Sequence, residues 1–565
     1  MTEKLLTPQG QALLESKQIP WQCHPRPQCK RSRWLNLNGS WEFSAPEHRG
    51  EITLPFCPEA RLSGVEKHFP EGSALVYTRT VTVPEDWAGG RVLLHIDAAD
   101  QHLTCRVNGR EVGSHSGGYD NILFDITEFL EGSTAGLELT CRDDLGDLSM
   151  PYGKQVLPEK RGGMWYTPVS GIWQTVWLEW VPETYVQKLH IENRGAAVTV
   201  TIEPALEGIL TVKNLGQFPL SQGQAVITPE DPHFWSPEDP YLYEFTLEAG
   251  ADRIESYFAI RTLEIRTLGG YPRLCLNGKP YFFHGLLDQG YWPEGLLTPP
   301  SPESYEYDIL AMKKLGFNTL RKHIKVEMEH FYYLCDKLGM VVFQDMVNNA
   351  PYSFFKDTVL PTVGLQKCND RRRHKAAASR ERFLQTMGSV TRQLKNHPCI
   401  LYWTIFNEGW GQFDSDAVYE KFLALDDTRW VDSTSGWFRR RKTQVDSRHV
   451  YFRKVKLSGD GKKPLVLSEF GGKTYKADCH VFNPKKSYGY GGCQSTEALQ
   501  AALTSLYRDE ILPAVKKGLC AAIYTQVSDV EDEINGLVTY DRRVEKVTAQ
   551  AMLPLAQALQ EAIAE

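Results

Sequence analysis

From the N-terminus to Pro182, apolar positions come in short runs broken by turn residues. Arg91-Val92-Leu93-Leu94-His95-Ile96 and Leu137-Glu138-Leu139-Thr140-Cys141 are two such runs, with turn signals at Asn108-Gly109 and Gly117-Gly118. That rhythm predicts strands of a β-sandwich rather than helices. A second β-rich stretch runs on to about Leu263, near the length of one immunoglobulin-like module. Strands are expected there at Leu210-Thr211-Val212 and Tyr243-Glu244-Phe245-Thr246-Leu247. After Leu268 strand-like runs alternate with helical segments. Strands are expected over Tyr281–Leu287, Phe317–Ile324, Met340–Met346, Cys399–Phe406, Trp430–Ser435, Asp446–Phe452, Leu465–Phe470 and Leu519–Gln526. Helices are expected from Ser301-Pro302-Glu303, where proline stands just inside the start, and over Met328–Leu338, Ala376–Lys395 and Val544–Ala564. Eight strands with helices between most of them predict a (β/α)8 barrel. The segments at Trp430 and Asp446 are closely spaced, which leaves the fifth and sixth units the least room.

Composition narrows the class of protein. A chain of 565 residues exceeds what one hydrophobic core supports. A net charge of −7 argues against general affinity for nucleic acid. No apolar run reaches the ~18 residues of a membrane span. Met1-Thr2-Glu3-Lys4-Leu5-Leu6-Thr7-Pro8 has no basic region followed by an apolar core, so no signal peptide is expected. Twelve cysteines without a C-x-x-C pair predict free thiols in a reducing compartment, the cytoplasm.

Two of the barrel strands end in glutamate. Leu401-Tyr402-Trp403-Thr404-Ile405-Phe406-Asn407-Glu408 precedes Gly409, and Leu465-Val466-Leu467-Ser468-Glu469 precedes Phe470-Gly471-Gly472. Barrels of this kind carry their chemistry at the C-terminal ends of the strands. A buried carboxylate there is costly without a task, although a buried ion pair would also explain either one alone. The glycines that follow are expected to leave room for a ligand against the backbone. Cleaving an acetal takes a proton donor and, on the other face, a nucleophile or a water. Carboxyls ~5–5.5 Å apart give retention, and ~6.5–9.5 Å gives inversion. Strands four and seven face each other across a barrel mouth, which suits such a pair. Serine, zinc and phosphoryl chemistries lack their signals, since no G-x-S-x-G, H-E-x-x-H or Walker loop is present.

With these residues in view, the chain resembles glycoside hydrolase family 2. Leu35-Asn36-Leu37-Asn38-Gly39-Ser40-Trp41 resembles the opening strand of that family's sugar-binding jelly roll. Gly117-Gly118-Tyr119, Phe124-Asp125-Ile126-Thr127 and Ser170-Gly171-Ile172-Trp173-Gln174 match further hallmarks. Asn396-His397-Pro398 with Phe406-Asn407-Glu408 matches the acid/base signature, and Ser468-Glu469-Phe470-Gly471 the nucleophile segment. Lys395 departs from the family's more usual arginine. The resemblance implies a jelly-roll domain over residues 1–182 with an N-terminal extension, an immunoglobulin-like β-sandwich over 183–266 and a catalytic TIM barrel over 267–565. It implies a retaining exo-β-glycosidase acting on terminal non-reducing sugars, with Glu408 as acid/base, Glu469 as nucleophile and Asn407 on the sugar 2-hydroxyl. No cofactor or metal is expected, and the partner is a small-molecule or oligosaccharide glycoside. Members of the family often associate through their β domains, so a homo-oligomer is compatible with it.

Further site candidates follow. Arg321 beside Glu469 would keep that carboxylate ionised, unless it serves a structural ion pair. His323 is a sugar contact or a satisfied core histidine. His449 lies near the nucleophile, and Tyr451 is placed to hydrogen-bond Glu469 or merely to pack. Asp288, Gln289 and Asp345 offer groups for sugar hydroxyls, Trp292, Trp410 and Trp437 offer stacking faces, and Tyr524 and Gln526 lie on the last strand. The family's glucuronidases bind the uronate carboxylate through an Asn-x-Lys motif after the last strand. Asp532-Glu533-Ile534-Asn535-Gly536-Leu537 lacks that lysine. Asn483-Pro484-Lys485 and the basic run Arg439-Arg440-Arg441-Lys442 are the other carboxylate-binding candidates, the run being equally a solvated loop. A neutral sugar, galactose first, is therefore expected, with uronides, furanosides and pentopyranosides as alternatives. A sugar-binding protein without turnover is the rival class, against which both retained glutamates speak. A transglycosylase would share the same intermediate.

Overall fold

The computed structural model describes residues 5–366 and 369–565. Met1–Lys4, half of the stretch examined for a leader, and Cys368, one of the twelve cysteines, lie outside them. The first domain packs two antiparallel sheets face to face. Six strands run in the order His48–Leu54, Gly39–Ala45, Leu75–Thr82, Thr134–Arg142, His102–Val107 and Arg110–Ser116. Four run Trp34–Asn36, Val176–Val181, Arg91–Ile96 and Ile122–Asp125. Alternation dictates this packing. Ala135, Leu137, Leu139 and Cys141 point into a core shared with Trp41, Tyr77, Leu94 and Leu178, while their neighbours face outward. Asn108 and Gly109 both take positive φ, 49° and 75°, the tight turn expected of that pair. The stretch Leu35–Trp41 is not one strand. Trp34–Asn36 belongs to the four-stranded sheet and Gly39–Ala45 to the six-stranded one. The chain crosses at Asn38, whose buried Oδ1 accepts from the Val176 amide at 3.2 Å.

The second domain is a sandwich of three and four strands around Val198, Val200, Leu210, Phe245, Leu247 and Ile254. A dividing line at residue 266 cuts the strand Leu263–Leu268, which pairs with Tyr271–Leu276 on the barrel side. Arg273 of that hairpin donates to the carbonyls of Val515 and Leu519, at 2.8 and 3.2 Å, just ahead of the last barrel strand.

The third domain is a parallel eight-stranded barrel, in sequence order Phe283–Asp288, Thr319–Lys322, Val341–Asp345, Ile400–Asn407, Trp430–Ser435, Asp446–Val450, Leu465–Gly471 and Leu519–Thr525. Ile400–Asn407 and Leu519–Thr525 are buried at every position, as strands covered on both faces must be. The ladder closes everywhere except between strands five and six. No helix separates those two, and side chains bridge the seam instead: the Ser447 hydroxyl donates to the Thr434 carbonyl at 3.4 Å. The closing helix begins at Ala549 rather than Val544. Lys546 lies in the loop before it, its ammonium bonded to both carboxylate oxygens of Asp529 at 2.6 and 2.7 Å. No described helix is long and apolar enough to cross a membrane. The eleven described cysteines are free.

One buried cation ties the first two domains together. The Arg31 guanidinium grips Asp252 of the second sandwich bidentately, both bonds 2.8 Å, and pairs with Glu179 of the first at 3.1 Å. Breaking a buried pair from one side costs about 3–5 kcal/mol, because the other charge stays behind. Arg31→Met should therefore lower the melting temperature markedly, and Arg31→Lys, which lacks the planar fork, should recover less than half of the loss in calorimetry.

Candidate active site

Strand two delivers Arg321 inward, with 1% of its side chain exposed. Its donors are distributed over three other strands. Nε bonds Asp345 Oδ1 at 3.0 Å, Nη2 bonds Asn407 Oδ1 at 2.9 Å, and Nη1 bonds both Glu469 Oε1 at 3.0 Å and the Ser468 carbonyl at 2.9 Å. A rigid guanidinium fork suits such a task better than an ammonium. Burial works against its charge, but Asp345 and Glu469 outweigh that and raise its pKa, so it stays a cation.

The two glutamates meet across this arginine. Tyr451 donates to Glu469 Oε2 at 2.7 Å. His449 spans both acids, with Nδ1 2.7 Å from Glu408 Oε1 and Nε2 3.5 Å from Glu469 Oε1. Glu408, Glu469 and His449 each present one atom within 4.8 Å of the others. The same three atoms would suit a metal ion, but the imidazole already links the carboxylates. Glu408 takes φ 51°, a left-handed conformation costing a non-glycine residue about 1–3 kcal/mol. Its amide is held by the Ser435 carbonyl at 3.0 Å.

Burial raises the pKa of both acids, and their neighbours then separate them. Glu408 is pushed up by desolvation and by the charge of Glu469, with His449 opposing. For Glu469 burial is outweighed by His449 and Arg321, which hold it down at about 2. One carboxyl is thus biased toward its proton and the other toward its charge.

Aromatic rings from several elements line the mouth. Trp410 stacks on Trp165 of the first domain, centroids 5.4 Å apart, and Tyr352 stands edge-on to both. Tyr490 stacks on Tyr451 at 4.2 Å, and Trp437 lies 6.2 Å from His449. Lys154, from a loop of the first domain, places Nζ 5.7 Å from the rings of both Trp410 and Tyr166. Tyr166 in turn donates to Glu533. Asn407 Nδ2 and Trp410 Nε1 are buried without a hydrogen-bond partner.

Six sequence candidates thus converge: Glu408, Glu469, Asn407, Arg321, His449 and Tyr451. Trp410 and Trp437 stand beside them. His323 reaches Asp345 through Nδ1 at 2.7 Å, and burial, then Lys154, lower its pKa to about 4, leaving it neutral near pH 7. Asp288 is engaged elsewhere, because Lys322 pairs with it at 2.7 Å inside the barrel wall. Trp292 is a core ring under the Arg542 guanidinium, 3.9 Å away. Gln289, Gln526 and Asn535 form a hydrogen-bonded chain, 2.9 and 2.8 Å, and Tyr524 Oη accepts from the Lys473 amide. Of the basic run, Arg439 pairs with Asp446, Arg440 with Asp370 and Asp416, and Lys442 with Glu420. Lys485 is exposed, and Asn483 donates to Asp532 at 3.1 Å. The glycines after the glutamates do not leave ligand space. A Cβ on Gly409 would meet the Phe438 ring at 2.3 Å, and one on Gly471 the Tyr524 ring at 2.2 Å. Lys154, Trp165, Tyr352, Glu533 and Tyr490 escape sequence reasoning. They come from separate loops, and only the fold brings them to one place.

Comparison with known proteins agrees with this arrangement. Residues 272–550 match the TIM barrel domain of glycosyl hydrolases family 2, residues 64–145 its sugar binding domain and residues 186–261 a further domain of the family. A β-galactosidase of Thermoanaerobacter pseudethanolicus is 24% identical over 66% of this chain and 50% of its own length. A β-glucuronidase of Bacteroides fragilis is 23% identical over 68% of this chain and 58% of its own. The chain therefore spans about half to three fifths of the length of these curated relatives. The solved β-D-glucuronidase of Dictyoglomus thermophilum superposes with a TM-score of 0.72 at 16% identity, covering 96% of this chain and 98% of that one. Three matched domains in the family's order, on the architecture described above, place the chain in glycoside hydrolase family 2.

Proposed function

We propose that this protein is a retaining exo-β-glycosidase in which Glu469 is the nucleophile and Glu408 the acid/base. The observation that carries the reading is the approach of their carboxyl oxygens to within 4.8 Å, with opposed pKa shifts. So close an approach supports double displacement, for which the carboxyls stand ~5–5.5 Å apart, over inversion, which needs ~6.5–9.5 Å to admit a water. Glu469, ionised, attacks the anomeric carbon while Glu408 gives its proton to the departing oxygen. Glu408, now a carboxylate, then takes a proton from the water that releases the sugar. Tyr451 and Arg321 hold the two oxygens of Glu469, so the attacking group stays aimed. Arg321 also pins Asn407 Oδ1, which leaves the unpartnered Nδ2 to donate to a sugar 2-hydroxyl. The free thiols support a reducing compartment, the cytoplasm. Neutral and uronic glycones differ by one charge at C6, and the recognition of that position decides between them.

Glu469→Gln should abolish release of nitrophenol from nitrophenyl β-glycosides while the circular dichroism spectrum is retained. Near-normal rates would exclude its nucleophilic role. Glu408→Ala should spare substrates with activated leaving groups, and azide should rescue them; uniform losses across leaving groups would exclude proton donation.

The pH profile follows from the same shifts. Rate falls as pH drops through the Glu469 pKa, about 2, where the nucleophile is protonated. It falls again as pH rises through that of Glu408, above its usual 4.5, where the acid is lost. The imidazole of His449 lowers both pKa values, so His449→Gln should move both limbs of kcat/KM to higher pH. Limbs that stay in place would contradict this electrostatic account.

A further inference from the structure

Four lysines are buried among the described residues: Lys154, Lys322, Lys325 and Lys546. Three are paired inside the protein. Lys322 meets Asp288 and Glu327 at 2.7 and 2.8 Å, Lys325 meets Glu327 at 2.8 Å, and Lys546 meets Asp529 at 2.6 Å. Lys154 is only 7% exposed, yet no described residue forms a hydrogen bond or an ion pair with its Nζ. Its contacts are the faces of Trp410 and Tyr166, each 5.7 Å away. The largely buried Lys154 side chain thus offers its ammonium two aromatic faces and no anion, and cation–π contact compensates such a charge only in part. An arrangement of this kind suits an anionic ligand.

The position of Lys154 says which part of a glycoside it meets. Its charge acts on His323 and on Glu408, so it faces the same mouth as the two carboxylates. Trp410, under its ammonium, lies 6.5 Å from His323. An exo-acting pocket encloses the glycone and leaves the aglycone at the opening, so a cation this buried belongs to the glycone side. The carboxylate of Glu533 accepts from Tyr166 and from Asn535, and it forms neither a hydrogen bond nor an ion pair with Lys154.

We propose that Lys154, supplied by the first domain to the barrel's site, binds the carboxylate of a hexuronic acid glycone. The assignment rests on the glycosidase reading for the presence of a sugar there, and it takes the uronide alternative over the neutral galactoside expected from sequence. The loop carrying Lys154 thus makes the sandwich domain part of the specificity pocket. After the last barrel strand, where the family's glucuronidases carry their Asn-x-Lys motif, the loop is folded on itself through Gln526 and Asn535.

Calorimetric titration of D-glucuronate, D-galacturonate, D-glucose and D-galactose into the full chain tests this without requiring turnover. The wild type should bind one uronate at least ten times more tightly than its neutral counterpart. Lys154→Met should lower that ratio on the order of 100-fold, and Lys154→Arg should restore part of it. The melting temperature of Lys154→Met should equal or exceed that of the wild type, since no ion pair or hydrogen bond within the protein is lost with the ammonium. Equal binding of uronates by wild type and Lys154→Met, tighter binding of neutral sugars, or a lysine-dependent loss of stability would each overturn the assignment. Nitrophenyl glycosides separate the two readings. Release from neutral glycosides without uronate preference ends only the Lys154 assignment. Uronate binding without release from any glycoside ends only the glycosidase reading.

Discussion

A guanidinium beyond the reach of solvent must find its acceptors within the protein, and Arg321 finds them on three other barrel strands at once, one adjacent and one across the barrel. Asp345 ends strand three, Asn407 ends strand four, and Ser468 and Glu469 lie near the end of strand seven. The barrel is therefore constrained at its catalytic rim by one planar group with fixed donor directions. Each partner gains orientation as well as charge compensation. Asn407 is turned so that its amide nitrogen faces away from the arginine, and Glu469 is left with one oxygen for Tyr451 and one shared between Arg321 and His449. Withdrawal of this cation would strand two buried carboxylates, a defect in the range of about 3–5 kcal/mol.

The opposed titration of the two glutamates follows from where positive charge is placed. Both glutamates are largely buried, and both would be driven toward the neutral form by that alone. Arg321 reaches one of them. His449 reaches both, and so couples their titrations while its ring sets the distance between them. Glu408 takes a left-handed backbone with its side chain bonded to the imidazole, and its amide is held by the Ser435 carbonyl from strand five.

How much of this the sequence discloses depends on the range of the interaction. Strands whose apolar runs are self-contained, Arg91–Ile96 and Leu519–Thr525, lie where those runs place them. The split of Leu35–Trp41 between two sheets is invisible, because nothing local distinguishes a strand that changes sheet from one that continues. Asp288 illustrates the same limit: its place at a strand end suggested a sugar contact, yet Lys322 on the adjacent strand claims it. The six residues at the centre were legible because strand ends and family motifs mark them. Lys154, Trp165 and Tyr490 were not, because each is delivered by a loop whose position depends on the docking of whole domains. Gly409 and Gly471 were misjudged for a related reason: the space they free is filled by Phe438 and Tyr524.

The central claim is that the two carboxyls stand too close for a water to enter between sugar and base. The anomeric configuration of the first product reports this directly. Proton NMR during hydrolysis of an activated β-glycoside should show the β-anomer of the free sugar first, with the α-anomer growing in only by mutarotation. Initial appearance of the α-anomer would mean inversion, and the arrangement of Glu408 and Glu469 described here would not be the one that carries out the reaction.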